Sequence, residues 1–412
     1  MKRLLLKLIL SALPVLSISA QQAKPFVKDF KYFLSTANYD ENLVPAYTLP
    51  DPLLCMDGSR VTTREEWENK RRPELMRLIT TYMYGHAPIL SHPLLWSVDT
   101  VETKALKGLC TRKVITIHLT DRTDGPVMHL QLFIPNKPKD RVPAILGISF
   151  SPNSSIPKAK EWQLRRVLDQ GYALATFHYT EVAPDKANTT LAYDHGLMPY
   201  FYRKGQTYPD PDQWGTIAVW AWAASRAMDY LQTDDRINPR QVAIMGHSRL
   251  GKTALWAGAT DERFAVVLPV NSGCCGAALS KRKVGERVES INTIMPYWFC
   301  NNYKQFSDRE QYMPFDQHEV IALCAPRPVY IASAEEDNWS DQRGEFLGAK
   351  GAEPVYALYG EAGIGIDRMP PVDVPYNKGF IAYHIRKGAH AVLEYDWEQF
   401  FIFMDRFFMR SH

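Results

Sequence analysis

Long hydrophobic runs are nearly absent from this chain of 412 residues. Residues 8–19 form an apolar stretch without acid or base. It is shorter than the roughly 20 residues that span a bilayer. No later stretch is apolar enough to cross a membrane. A charge excess of one sign is also missing, with 48 Lys and Arg against 45 Asp and Glu. Three of those bases, Lys2, Arg3 and Lys7, precede the apolar run, and Ile18 and Ala20 lie before Gln21. This is the pattern of a secretory signal peptide over residues 1–20. Without that segment 45 bases face 45 acids, a net charge of zero. Such a balance argues against a nucleic-acid binder, which needs a basic excess or patch. Cysteine is scarce: Cys55, Cys110, Cys274, Cys275, Cys300 and Cys324. They form no CxxC pair and no Cys/His spacing of a zinc site. Buried thiols are expected for most, with one bridge open among Cys274, Cys275, Cys300 and Cys324. No Cys follows Ala20 as a lipid acceptor. An exported protein without a membrane span is expected, periplasmic or extracellular.

What is present is ordinary globular composition, 46% hydrophobic and 23% charged. Residues 21–60 are Pro-rich and weakly periodic, an N-terminal arm along the body. Thr63 and Glu66 fit a capping box, opening an amphipathic helix to about residue 84. Strand patterns follow at 95–103, 111–119 and 127–134, then buried strands at 144–150 and 172–179 around a helix at 161–170. A polar loop runs to about Asp212. Residues 216–231 read as a buried helix, 241–245 as a strand, 251–259 as a helix and 264–270 as a strand. Later strands are expected at 328–332 and 380–385, and a closing helix at 396–408. Alternation of strand and helix implies a mostly parallel sheet with helices on both faces, a three-layer α/β sandwich. Residues 61–412 are read as one domain, with 272–327 inserted over its site.

The sharpest local signal is Gly246-His247-Ser248-Arg249-Leu250-Gly251-Lys252, between a buried strand and a helix. Strand, tight turn and helix are the context of a nucleophile elbow, although the spacing is G-x-S-x-x-G rather than G-x-S-x-G. A serine there also serves as a plain N-cap. A serine nucleophile needs a base, and then an acid behind that base. His384 lies inside a strand pattern and His412 is the last residue. His390, in a small-residue loop before the last helix, is the candidate base. Glu335, Glu336 and Asp337 follow the strand at 328–332. Asp337 lies at the commonest offset for the acid, and Glu336 is the alternative. Arg249 and Lys252 put two cations at a helix start, where the macrodipole is already positive. They require an anionic partner: a helix neighbour such as Asp261 or Glu262, a nearby Glu, a bound carboxylate or a developing oxyanion.

The G-x-S-R-x-G-K segment resembles the signature of the glucuronoyl esterases, carbohydrate esterase family fifteen, of bacterial type. The likeness extends to Asp212-Gln213-Trp214-Gly215, Ser272-Gly273-Cys274-Cys275-Gly276, Gly285-Glu286, Pro296-Tyr297-Trp298-Phe299, Glu335 to Trp339 and Gly388-Ala389-His390. The resemblance implies an α/β-hydrolase fold and cleavage of glucuronoyl esters, as between glucuronoxylan and lignin alcohols. It makes Ser248 the nucleophile, His390 the base and Arg249 an oxyanion donor, and it puts Lys252, Glu286 and Trp339 against the sugar. Many members carry the acid at the position that here reads Asn271, and the likeness then points to Asp337 instead. The loop Ser151-Pro152-Asn153-Ser154 departs from the family pattern and leaves a second oxyanion donor unassigned.

Two other functions fit parts of the sequence. One is a polysaccharide (xylan) acetyl esterase on the same triad, against which Arg249 and Lys252 argue. The other is a non-catalytic glycan-binding protein, favoured by Asn271. No metal and no cofactor are expected, and the chain reads as a monomer.

Overall fold

A computed structural model describes residues 28–90, 94–122 and 124–408. The expected signal segment and His412 lie outside the described residues. Among the described residues nine strands form one sheet: β1 (Trp96–Lys104), β2 (Cys110–His118), β3 (Val127–Pro135), β4 (Val142–Ser149), β5 (Ala173–His178), β6 (Ile237–His247), β7 (Val266–Val270), β8 (Val329–Ala334) and β9 (Ile381–Arg386). Their order is β1-β2-β3-β5-β4-β6-β7-β8-β9. The first three strands are antiparallel, and β3 meets β5 antiparallel. From β5 to β9 every pairing is parallel.

This topology follows from the strands' own chemistry. All of β4 is buried, and so are β7, β8 and β9. A strand with no polar face needs cover on both sides. Helices Thr216–Leu231, Arg249–Thr260 and Gln342–Leu358 pack in the core on one face. Helices Leu164–Asp169 and Glu394–Phe407 pack in the other. The result is the expected three-layer α/β-hydrolase arrangement.

The capping box of Thr63 and Glu66 is formed, and the helical stretch beyond it reaches Tyr84 through two π-turns, Trp67–Arg71 and Thr80–Tyr84. The helix Gln342–Leu358 was not expected, because Gly344, Gly348, Gly351 and Pro354 interrupt its pattern. The glycines answer to packing instead. A Cβ on Gly348 would lie 2.1 Å from the Ala277 carbonyl oxygen, and one on Gly351 would lie 2.7 Å from His318 Cβ. The one bridge left open does not form: Cys274, Cys275, Cys300 and Cys324 are all free and buried. The Cys274 and Cys275 sulfurs are 3.7 Å apart, far beyond bonding distance. Among the described residues no helix is long and apolar enough to cross a membrane.

One buried cluster fixes the loop after β9. His384 is fully buried, as its strand position implied, with Nε2 2.9 Å from Asp396 Oδ1. Arg386 donates Nε–H to Asp396 Oδ2 at 2.8 Å. Its other nitrogens reach the carbonyls of Lys387, Ala389 and Ala391. A single guanidinium therefore wraps the turn that carries His390. Burial opposes ionisation of Asp396, but His384 and Arg386 outweigh it and hold its pKa below the ordinary carboxylate value. Asp396→Ala would strand the Arg386 charge in the core, a loss of about 3–5 kcal/mol. The expected result is a clear fall in the thermal midpoint by calorimetry. An unchanged midpoint would refute this role.

Candidate active site

Ser248 sits between β6 and the helix Arg249–Thr260 with φ 60° and ψ −128°. A non-glycine residue there is strained and persists only where its surroundings impose it. Its side chain makes no cap hydrogen bond, so the plain N-cap reading fails. A Cβ on Gly246 would lie 1.9 Å from the Leu250 carbonyl oxygen, so only glycine fits the near side of the turn. On the far side, a Cβ on Gly251 would lie 2.9 Å from Val270 O and 3.1 Å from Ser272 Cβ. The second glycine stands one position late because that is where the helix meets the end of β7. The Ser248 N–H donates to Val270 O at 2.8 Å and anchors the turn there.

His390 lies on the loop beyond β9, and Asp337 on the loop beyond the adjacent β8. His390 Nδ1–H donates to Asp337 Oδ2 at 2.6 Å. Nε2 is thereby left as the basic nitrogen. The same carboxylate oxygen accepts Ser340 Oγ–H at 2.6 Å and Asn271 Nδ2–H at 3.1 Å. Burial works against the Asp337 charge, but the His390, Ser340 and Asn271 bonds prevail and its pKa lies below the ordinary value. Glu336 is exposed, and of the two candidate acids it is Asp337 whose carboxylate bonds His390. Asn271 thus contributes its amide to the Asp337 carboxylate. His247 packs its ring 4.4 Å from that of His390. Burial pushes the His247 pKa down to about 3, so it stays neutral beside the base.

Each cation at the helix start has its own acid, and neither acid is a helix neighbour. Arg249 Nη1 donates to Asp185 Oδ2 at 2.6 Å. Asp185 Oδ1 accepts from Trp298 Nε1 at 2.9 Å and Tyr297 Oη at 3.1 Å. The guanidinium also lies 4.9 Å from the Trp298 ring centroid. Lys252 is buried, and its ammonium donates to Ser272 O, Cys274 O and Glu286 Oε2, each at 2.7 Å. Burial disfavours that charge, but Glu286 outweighs it and raises the Lys252 pKa. All three ammonium donors are thus engaged, and Lys252 acts on the site mainly by holding Glu286. Asp261 and Glu262 pair elsewhere, with Arg263 and Arg72. In the loop after β4 the Ser151 N–H is turned onto Ser149 Oγ at 3.0 Å.

A cavity of about 670 Å³ brings together Ser248, Arg249, Lys252, Glu286, Asp337, Trp339 and His390. The insertion lies over it as expected and supplies Glu286, Ile291, Ile294, Met295 and Trp298 to its wall. Four contributing residues escaped the sequence reading. Asp185 sits in what reads as a polar loop. Phe30 and Leu34 come from the helix Phe30–Thr36 of the arm. Glu345, fully buried, accepts from Ser272 Oγ at 3.0 Å, Gly273 N at 2.9 Å and Ser333 Oγ at 2.6 Å. It thus anchors the turn whose carbonyls hold Lys252. Among the described residues no cluster of His, Cys, Asp and Glu is arranged to hold a metal.

Asp185→Asn keeps the shape but removes the charge that aims Arg249, and should lower kcat at least tenfold with a smaller change in KM. Equal kcat in variant and wild type would show that Asp185 does not position Arg249. Burial raises the Glu345 pKa to about 7, from an ordinary value of 4.5. A raised carboxyl favours the folded state at low pH, and that advantage is lost as pH climbs from 4.5 through about 7. The thermal midpoint of Glu345→Gln relative to wild type should therefore rise across that window and level off above it. A pH-independent difference would contradict the shift.

Comparison with known proteins agrees with this geometry. The family model described as glucuronyl esterase, fungi, matches residues 117–360. Carbohydrate esterase MZ0003, from an unknown prokaryotic organism, is 42% identical over 400 residues, covering 89% of this chain and 91% of its own. A 4-O-methyl-glucuronoyl methylesterase of Schizophyllum commune is 28% identical over 343 residues, covering 81% of this chain and 75% of its own. The solved glucuronoyl esterase from Solibacter usitatus superposes with a TM-score of 0.85 at 43% identity, covering 88% of this chain and 99% of that one. With the fold, the strained serine and the His–Asp pair in place, these matches establish that the chain belongs to the glucuronoyl esterase family, carbohydrate esterase family fifteen.

Proposed function

We propose that this chain is a serine esterase that hydrolyses esters of (4-O-methyl-)glucuronoyl groups, as in the linkages between lignin and glucuronoxylan. The observation that carries this reading is the single cavity shared by Ser248, the His390–Asp337 pair, Arg249 and the Lys252–Glu286 pair. His390 Nε2 takes the Ser248 hydroxyl proton as Oγ attacks the ester carbonyl carbon. Charge builds on the carbonyl oxygen. The Arg249 backbone N–H, unpartnered within the first helical turn, and its guanidinium stabilise it. His390 then gives the proton to the departing alcohol oxygen, leaving an acyl-enzyme. Water, deprotonated by His390, releases the uronic acid and restores Ser248. Asp337 orients the imidazole and stabilises its cation without taking the proton.

The acyl side is where sugar recognition is needed. Glu286, held by Lys252, is the acceptor for sugar hydroxyls, and Trp339 offers a ring to the sugar face. An acetyl ester presents nothing for these groups to hold, which disfavours the xylan acetyl esterase. The non-catalytic alternative loses its support if Asp337 replaces the acid absent at Asn271. We further propose that residues 61–412 act as one catalytic domain with residues 21–60 as its arm. The basic and apolar residues 1–20 support export to the periplasm or beyond, and the protein is proposed to work as a monomer.

The test compares the methyl ester of 4-O-methylglucuronate with acetylated xylan. Wild type should cleave the former far faster, and Ser248→Ala should lose at least about a thousandfold in kcat. Preference for acetyl esters, or full activity in Ser248→Ala, would overturn the proposal.

A further inference from the structure

His247 ends β6, one residue before the nucleophile, and has no part in the proposed proton transfers. Side chains alternate faces along a strand, so His247 shares the face of Met245. Both line a cavity of about 360 Å³, together with Phe150, Trp162, Ala391 and Leu393. His390 lines the catalytic cavity and not this one, whereas His247 lines this one and not the catalytic cavity. Their ring centroids are nevertheless 4.4 Å apart, with the planes tilted by 43°. The His247 ring therefore stands between the base and the second cavity.

The ring is held and it is uncharged. Phe150 meets it edge to face at 6.2 Å. Phe150 also packs on Tyr179 at 5.2 Å, and the Arg249 guanidinium lies 5.7 Å from the Phe150 centroid. An aromatic row thus connects the base to the arginine that serves the oxyanion. Burial first, and then His390, push the His247 pKa down to about 3; Arg386 adds to this, while Asp337 and Asp396 oppose it. Lys160 and Glu161 are the other charged groups around the cavity. The buried Nε2 of His247 has no protein hydrogen-bond partner among the described residues, so this nitrogen offers the base no relay. What His390 meets is the ring itself.

When His390 takes the Ser248 proton it becomes an imidazolium. A cation is attracted to the π-electrons of an uncharged ring, and a neutral imidazole gains less from the same contact. A contact that is stronger in the transition state than before it raises kcat rather than binding. Asp337 meets the new charge at Nδ1, and His247 meets it across the ring.

We propose that His247 is a positioning residue, which fixes the plane of the His390 ring and, as an aromatic, favours the imidazolium formed in each proton transfer. This rests on the esterase reading and adds a residue to it.

The experiment uses the full chain and the methyl ester of 4-O-methylglucuronate. His247→Leu fills the space without a π-system, and should lower kcat roughly three- to tenfold with KM within about twofold of wild type. His247→Phe restores a ring and should recover most of that loss. If His247→Leu does not fold, His247→Gln takes its place with the same loss expected. Wild-type kcat in the variant without a ring overturns the role. So does a loss in His247→Phe as large as in that variant, or a change carried by KM alone. Each of these leaves the esterase reading standing. No turnover of the ester by wild type overturns both.

Discussion

The hydrogen bond of 2.6 Å from His390 to Asp337 is the contact around which the rest of the site is organised. It joins two loops that leave neighbouring parallel strands, β8 and β9. Both loops are held mainly by side chains near them in the chain, with Asn271 added from the end of β7. Arg386 gathers the carbonyls of the His390 loop, and Asp396 pins Arg386. Asn271 and Ser340 crowd onto the same oxygen of Asp337 that His390 uses. Three donors on one carboxylate oxygen keep the acid ionised in spite of its burial. The imidazole is thereby fixed in one tautomer and one orientation before any substrate arrives.

Charge in the site is local and paired. Arg249 and Lys252 would be unfavourable at a helix N-terminus on their own. Asp185 and Glu286 make them tolerable, and each pair has a further layer behind it. Tyr297 and Trp298 hold Asp185, while Glu345 holds the Ser272–Gly273 turn that takes up Lys252. The insertion after β7 supplies most of these partners, which explains its length. It roofs the cleft and also completes the electrostatics of the helix start.

Much of this was legible in the sequence because the relevant signals are local. The apolar run of β4, the capping box at Thr63 and the strand–turn–helix around Ser248 each depend on neighbours in the chain. The choice of His390 over His384 followed from strand patterning, and the burial of His384 agrees with it. What was missed depends on contacts distant in the chain. Asp185 reads as one more acid in a polar loop, and only the folded chain brings Arg249 to it. The helix Gln342–Leu358 was hidden by glycines whose reason is close packing against the insertion. The Pro-rich arm gave no sign that Phe30 and Leu34 would face the cleft. The disulfide left open among four cysteines is absent because all four thiols fit the core singly, a matter that cysteine counting does not address.

The central claim is that Asp337, standing where Asn271 cannot serve, makes His390 a base for Ser248. The most direct test is kcat/KM of Asp337→Ala against Glu336→Ala on a methyl glucuronate ester. A fall of about a thousandfold or more for Asp337→Ala, with Glu336→Ala within a few-fold of wild type, is the predicted result. A fall of less than tenfold for Asp337→Ala, or the larger loss in Glu336→Ala, would contradict it.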